Sequence, residues 1–127
     1  MTKFIYSNPN PYGIQTNDCT IRALSLFFNE PWRKIYWDVV TIGCEVGRMP
    51  ETNYVWMEYL KRRGYREYPI KDTCPNCYTV FDFCNDHPKG IFLLGTGTHV
   101  VTVIDGNYYD VWDSGDEVPI FFYKKEI

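Results

Sequence analysis

A chain of 127 residues that is 45% apolar and 18% aromatic carries enough apolar material for one packed core, which excludes a disordered or low-complexity protein. Its net charge of −3, with no basic run longer than Lys61-Arg62-Arg63, argues against a surface that grips a phosphate backbone. No apolar run approaches the length of a bilayer span, and the opening "MTKFIYSNPNP" holds no apolar core of signal-peptide length, so a cytoplasmic protein away from membranes is expected.

Taken in chain order, "NPNPYG" at 8–13 reads as an extended, turn-rich lead-in. A helix over about 19–29 follows, with Asn17 and Asp18 as capping residues. Its polar residues Arg22, Ser25 and Asn29 make one narrow stripe and apolar side chains cover the rest, so it is mostly buried. Arg22 stands one turn beyond Asp18, the spacing of an i, i+4 ion pair. Pro31 opens a second helix, with Trp32, Ile35, Tyr36, Val39 and Val40 on one face. A third runs over about 50–63, from Pro50 to a stop at Gly64, and "KRR" at 61–63 is its solvated end.

Beyond Gly64 the pattern changes. "YREYPI" suits a short strand, and Val80, Phe81, Phe83 and Cys84 keep helical spacing over about 78–87. "GIFLLG", "HVVTVI", "YYDVWD" and "VPIFFY" alternate as strands between Gly, Asp and Asn turns. Residues 1–127 are thus expected to form one α+β domain, with N-terminal helices packed on a C-terminal antiparallel sheet.

Five cysteines in a reducing compartment argue against a disulfide framework, so each is read singly. Cys19 opens the first helix, where unpaired backbone N–H groups and the positive end of the dipole favour a thiolate. A thiolate nucleophile needs a base and a group to orient that base. Of the two histidines, His87 sits where a helix ends and reads as a solvated residue touching the last turn, whereas His99 opens a strand after "GTGT". The next strand supplies two acids, and turn register decides between them. A two-residue Asp105-Gly106 turn aligns His99 with Asp110 and Trp112; a three-residue turn aligns it with Asp113. Burying Asp110 in mid-strand is costly, so Asp113 is the expected partner, with Trp112 shielding the edge of the site.

Cys19 in "NDCTIRAL", His99 in "GTHVVTVIDG" and Asp113 in "YYDVWDSG" follow the order Cys, His, Asp. In this the chain resembles the papain-like cysteine peptidase superfamily, above all its small bacterial and prophage members. The resemblance implies a papain-like fold, a Cys19–His99–Asp113 triad, a thiol acyl-enzyme, no cofactor, and a peptide or protein substrate. The family places a glutamine about six residues before the nucleophile to donate to the oxyanion. Gly13 stands there, which leaves Gln15, Asn17 and Asn10 as candidate donors beside the Cys19 backbone N–H.

Two other readings compete. One is a papain-like binding module without catalysis. The other is a small zinc-stabilised interaction domain, since Cys74, Cys77, Cys84 and His87 form C-x2-C-x6-C-x2-H. A helix from about 78 opposes the zinc reading. It separates Cys77 from Cys84 by about 10 Å of rise, whereas sulfurs sharing one tetrahedral ion lie within about 4 Å.

Overall fold

A computed structural model describes residues 1–125. Four helices form where the apolar periodicity places them: α1 (Cys19–Phe28), α2 (Trp32–Val46), α3 (Asn53–Arg62) and α4 (Val80–Asp86). α1 ends at Asn29 and α2 at Gly47, each in the left-handed conformation that closes a helix. α3 begins later than Pro50 because Thr52 turns back on Met49, with both its N–H and its hydroxyl donating to the Met49 carbonyl. α4 is short but has a complete capping box between Thr79 and Asp82.

The strands are β1 (Phe4–Tyr6), β2 (Tyr68–Pro69), β3 (Ile91–Gly95), β4 (Val100–Ile104), β5 (Asn107–Asp110) and β6 (Phe121–Lys124). They form one six-stranded sheet in the order β1-β5-β4-β3-β6-β2. This mixed sheet corrects the antiparallel expectation. The N-terminal residues 4–6, too short a run to show a strand pattern of their own, add to the edge parallel to β5 and pair Tyr6 with Asp110. The α+β class stands, since the helices precede the sheet's central hairpin and pack on its faces.

Two clusters make up the core. Leu24, Phe27, Ile35, Val39, Val55, Trp56 and Leu60 from α1 to α3 pack with Leu93, Val100, Phe121 and Tyr123 of the sheet. Val80, Phe83 and Cys84 of α4 pack with Phe92, Leu94, Val101, Val103 and Tyr108. By strand alternation, the two sets of sheet residues belong to opposite faces. The buried Thr102 hydroxyl donates to the Ala23 carbonyl at 2.6 Å, which pins α1 to β4.

The β4–β5 hairpin turns through two residues, not three. Asp105 and Gly106 both have positive φ, 48° and 77°, and Ile104 pairs with Asn107 across the turn. This is the primed-turn geometry that matches strand twist and suits Asp-Gly. Tyr108 and Asp110 are therefore buried, and Asp113 falls beyond the strand.

Candidate active site

The site forms where α1, β4 and β5 end together. Asp18 is the capping residue of α1, yet its carboxylate makes no bond to the first turn. It turns instead to the Arg22 guanidinium, to the Trp32 indole N–H at 3.0 Å and to the Asn10 amide at 3.4 Å. The first-turn N–H groups beside Cys19 are thus left without a side-chain cap, and they present partial positive charge to the thiol. Cys19 is half-buried.

His99 is placed by the loop that leads into β4. Gly97 takes φ +98°, a conformation glycine adopts without strain. Thr96 accepts the His99 N–H at its hydroxyl, 3.1 Å, and donates its own N–H to the His99 carbonyl, 2.9 Å. The Asn53 side chain anchors the same loop through the Gly97 carbonyl. The imidazole is buried, with the half-exposed Trp112 ring against it at 4.8 Å between centroids.

One nitrogen of His99, Nε2, lies 2.6 Å from Asp110 Oδ2. The Cys19 thiol lines the same cleft as the His99 ring, and their interaction lowers the thiol pKa and raises that of the imidazole. Asp110 is 4% exposed and fully partnered: Oδ2 also accepts from the Ser114 hydroxyl at 2.7 Å, and Oδ1 accepts the Val111 N–H at 2.8 Å. Arg22 approaches the same Oδ1 at 3.6 Å. The lead-in secures β5 from outside, with the Ser7 N–H on the Asp110 carbonyl.

Charge follows from these contacts. Burial works against an ionised Cys19. The His99 hydrogen bond and charge, the Val100 backbone and the Thr20 hydroxyl outweigh it, so the thiol lies below its ordinary range. Burial also works against a protonated His99, but the hydrogen bonds to Asp110 and Cys19 and their charges push it up to about 9. Both shifts favour a thiolate beside an imidazolium.

The third member of the site is thus Asp110, and the expectation of Asp113 is corrected. Asp113 accepts the Tyr108 hydroxyl at 2.5 Å and the Gly115 N–H at 3.1 Å, away from the imidazole. The expected cost of burying Asp110 is offset by its four partners. Asn10 is corrected too: it is buried, its amide donates to Asp18, its oxygen accepts the Tyr12 N–H, and it does not line the cleft that holds Cys19 and His99. Gln15 and Asn17 are exposed and line a cleft of about 260 Å³ with Cys19, His99, Val111 and Trp112. A larger groove of about 470 Å³ adjoins this cleft through the shared Thr16 and Asn17.

The other candidates lie elsewhere. His87 donates its Nδ1–H to the Phe83 carbonyl, 2.8 Å, and stacks on the Phe83 ring. Cys84 is buried, which pushes its thiol up to about 12. Cys74 and Cys77 are exposed in the loop before α4, and a hydrogen bond from the Cys74 thiol to the Asp72 carboxylate raises Cys74 to about 11. Among the described residues, no group of three or more His, Cys, Asp or Glu side chains is arranged to hold a metal ion. Among them too, no helix is long and apolar enough to cross a membrane.

Comparison of the chain with protein-family models, curated proteins and solved structures finds no match.

Proposed function

We propose that the chain is a cysteine peptidase or amidase that works through a thiol acyl-enzyme, with Cys19 as nucleophile, His99 as base and acid, and Asp110 as the group that orients His99. One observation carries this reading: a thiol at a helix start shares a cleft with an imidazole that lowers its pKa, and a buried carboxylate holds that imidazole at Nε2. The likeness to papain-like cysteine peptidases supports the same assignment, with Asp110 in place of Asp113.

The steps follow from the contacts. Cys19 gives its proton to His99 Nδ1, and Asp110 holds the resulting imidazolium through Nε2–H. The thiolate attacks the substrate carbonyl carbon and the C=O electron pair moves onto oxygen. The Cys19 backbone N–H and a side-chain amide of Gln15 or Asn17 then donate to that oxyanion. As the tetrahedral species collapses, the C–N bond breaks and His99 returns its proton to the leaving amine. Water, deprotonated by His99, attacks the thioester, releases the acid and restores the thiol; an amine in its place gives acyl transfer.

Iodoacetamide labelling at pH 6–7, read by peptide mapping, tests the nucleophile, and a panel of quenched peptides tests turnover. Cys19 is expected to label first among the five cysteines, and Cys19→Ala is expected to abolish cleavage. Labelling led by Cys44, Cys74 or Cys77, with Cys19 reacting no faster than a free thiol, would falsify the assignment.

A further inference from the structure

Arg22 lies between two carboxylates, and only one of them belongs to the triad. Its guanidinium pairs with Asp18 and reaches Asp110 Oδ1 at 3.6 Å, and the three side chains are 7%, 7% and 3% exposed. Packed apolar side chains in place of a buried ion pair are often as stable or more so, so stability alone is a poor reason for two charges inside α1. Their position is more informative. Along the line Asp18, Arg22, Asp110, His99 and Cys19, the charges alternate in sign when the thiol and imidazole form their ion pair.

We propose that Arg22 and Asp18 are positioning residues for the triad. Arg22 holds Asp110 Oδ1 so that Oδ2 faces His99, and Asp18 balances Arg22 so that Asp110 keeps its full negative charge for the imidazole. The assignment rests on the Cys19–His99–Asp110 reading above. Oδ1 has two partners, the Val111 N–H and Arg22, and both keep it turned from the ring. Asp18 is itself held from two elements, by Trp32 of α2 and Asn10 of the lead-in, and neither of these carries charge. From the segment after β5, His99 and Asp110 meet Trp112 and Ser114, which are uncharged as well. Among the described residues, the charged groups in contact with the imidazole or with its carboxylate partner are thus Arg22, Asp110 and Cys19, with Asp18 on Arg22.

The sign of each perturbation follows. Asp18→Asn leaves Arg22 a single carboxylate partner, Asp110, and adds an uncompensated positive charge beside His99. The His99 pKa is expected to fall by about one unit, a tenfold loss of proton affinity. Arg22→Lys keeps the charge and the i, i+4 pair with Asp18 but loses the fork that spans two carboxylates. Asp110 is then released, and the His99 pKa is expected to rise. The double variant Asp18→Asn with Arg22→Gln carries neither charge and is expected to return His99 towards its wild-type value.

Ring-nitrogen NMR titration of the two histidines reads this directly, with His87 as an internal control that does not move. The measurement needs neither turnover nor a substrate. A wild-type Cys19 with ordinary alkylation kinetics would count against the triad, whereas the shifts of His99 between variants report on the pair. If Asp18→Asn does not fold, Arg22→Lys and the double variant still carry the test. Opposite shifts in the two single variants support the proposal. His99 titrating as in wild type in every variant that folds, with only the melting temperature lowered, makes the pair a structural one and overturns it.

Discussion

A carboxylate in mid-strand is expensive only when it is alone. Asp110 accepts from an imidazole, a hydroxyl and a backbone N–H, and a guanidinium stands beside it, so its desolvation is offset bond by bond. The sequence shows Asp110 but not these partners, which come from α1, β4 and the segment after β5. The two acids separate cleanly in solution. Asp110→Asn keeps an acceptor for His99 but removes the charge that stabilises the imidazolium. Cys19 alkylation near pH 6–7 is expected to slow by about tenfold, the equivalent of one pKa unit. Asp113→Asn is expected to leave that rate within about twofold, because its carboxylate serves Tyr108 and Gly115. Alkylation rate against pH for both variants decides the matter, and a larger effect at Asp113 would sink the assignment of Asp110.

At the scale of elements, α1, α2, α4 and the four C-terminal strands were legible from periodicity, because each has one continuous apolar face or a buried run. β1 was not, since a three-residue edge strand carries too little pattern, and its pairing with β5 is set by tertiary contact. The hairpin register was legible in principle: Asp105-Gly106 is the strongest two-residue turn signal in the chain, and the apparent cost of burying Asp110 argued it away. The site followed the same division. Cys19 and His99 could be paired from helix start and strand start, while Asp110 required the register and Arg22 required the third dimension. "KRR" also reads differently in three dimensions. Arg63 forks onto both oxygens of Glu30 at 2.9 and 2.6 Å and lies over the Phe28 ring, which ties the end of α3 to the α1–α2 connection.

The glycine in β3 sets a limit on the sheet. A Cβ at Gly95 would sit 2.1 Å from Cζ of Phe121, whose ring covers the glycine from the neighbouring strand. The glycines of "GTGT" thus serve packing and turning. Gly95→Ala is expected to cost about 1–3 kcal/mol through forced displacement of that ring. Urea unfolding of the variant measures it, and an unchanged midpoint would show that Phe121 moves freely.

For the whole molecule, the Cys19–His99 pair makes stability depend on pH. His99 is raised from its ordinary 6.5 to about 9, so its contribution is fully present below about pH 6.5 and is lost as pH rises through about 9. Cys19 is lowered from 9.0, so its contribution is lost as pH falls through the lowered value. The difference in melting temperature between wild type and His99→Gln should accordingly shrink between about pH 6.5 and 9. A difference that stays constant across this range would show that His99 titrates alike in the folded and unfolded chain.

The two halves of the site are made at different times. Cys19 leaves the ribosome before His99, β5 and the Asp110 that β1 waits to pair with. Until they do, Cys19 lacks the imidazole that lowers its pKa, and a growing chain carries an ordinary thiol. Because that pairing joins residues far apart in sequence, the lowered thiol pKa is a property of the closed fold and not of the chain segment that holds Cys19.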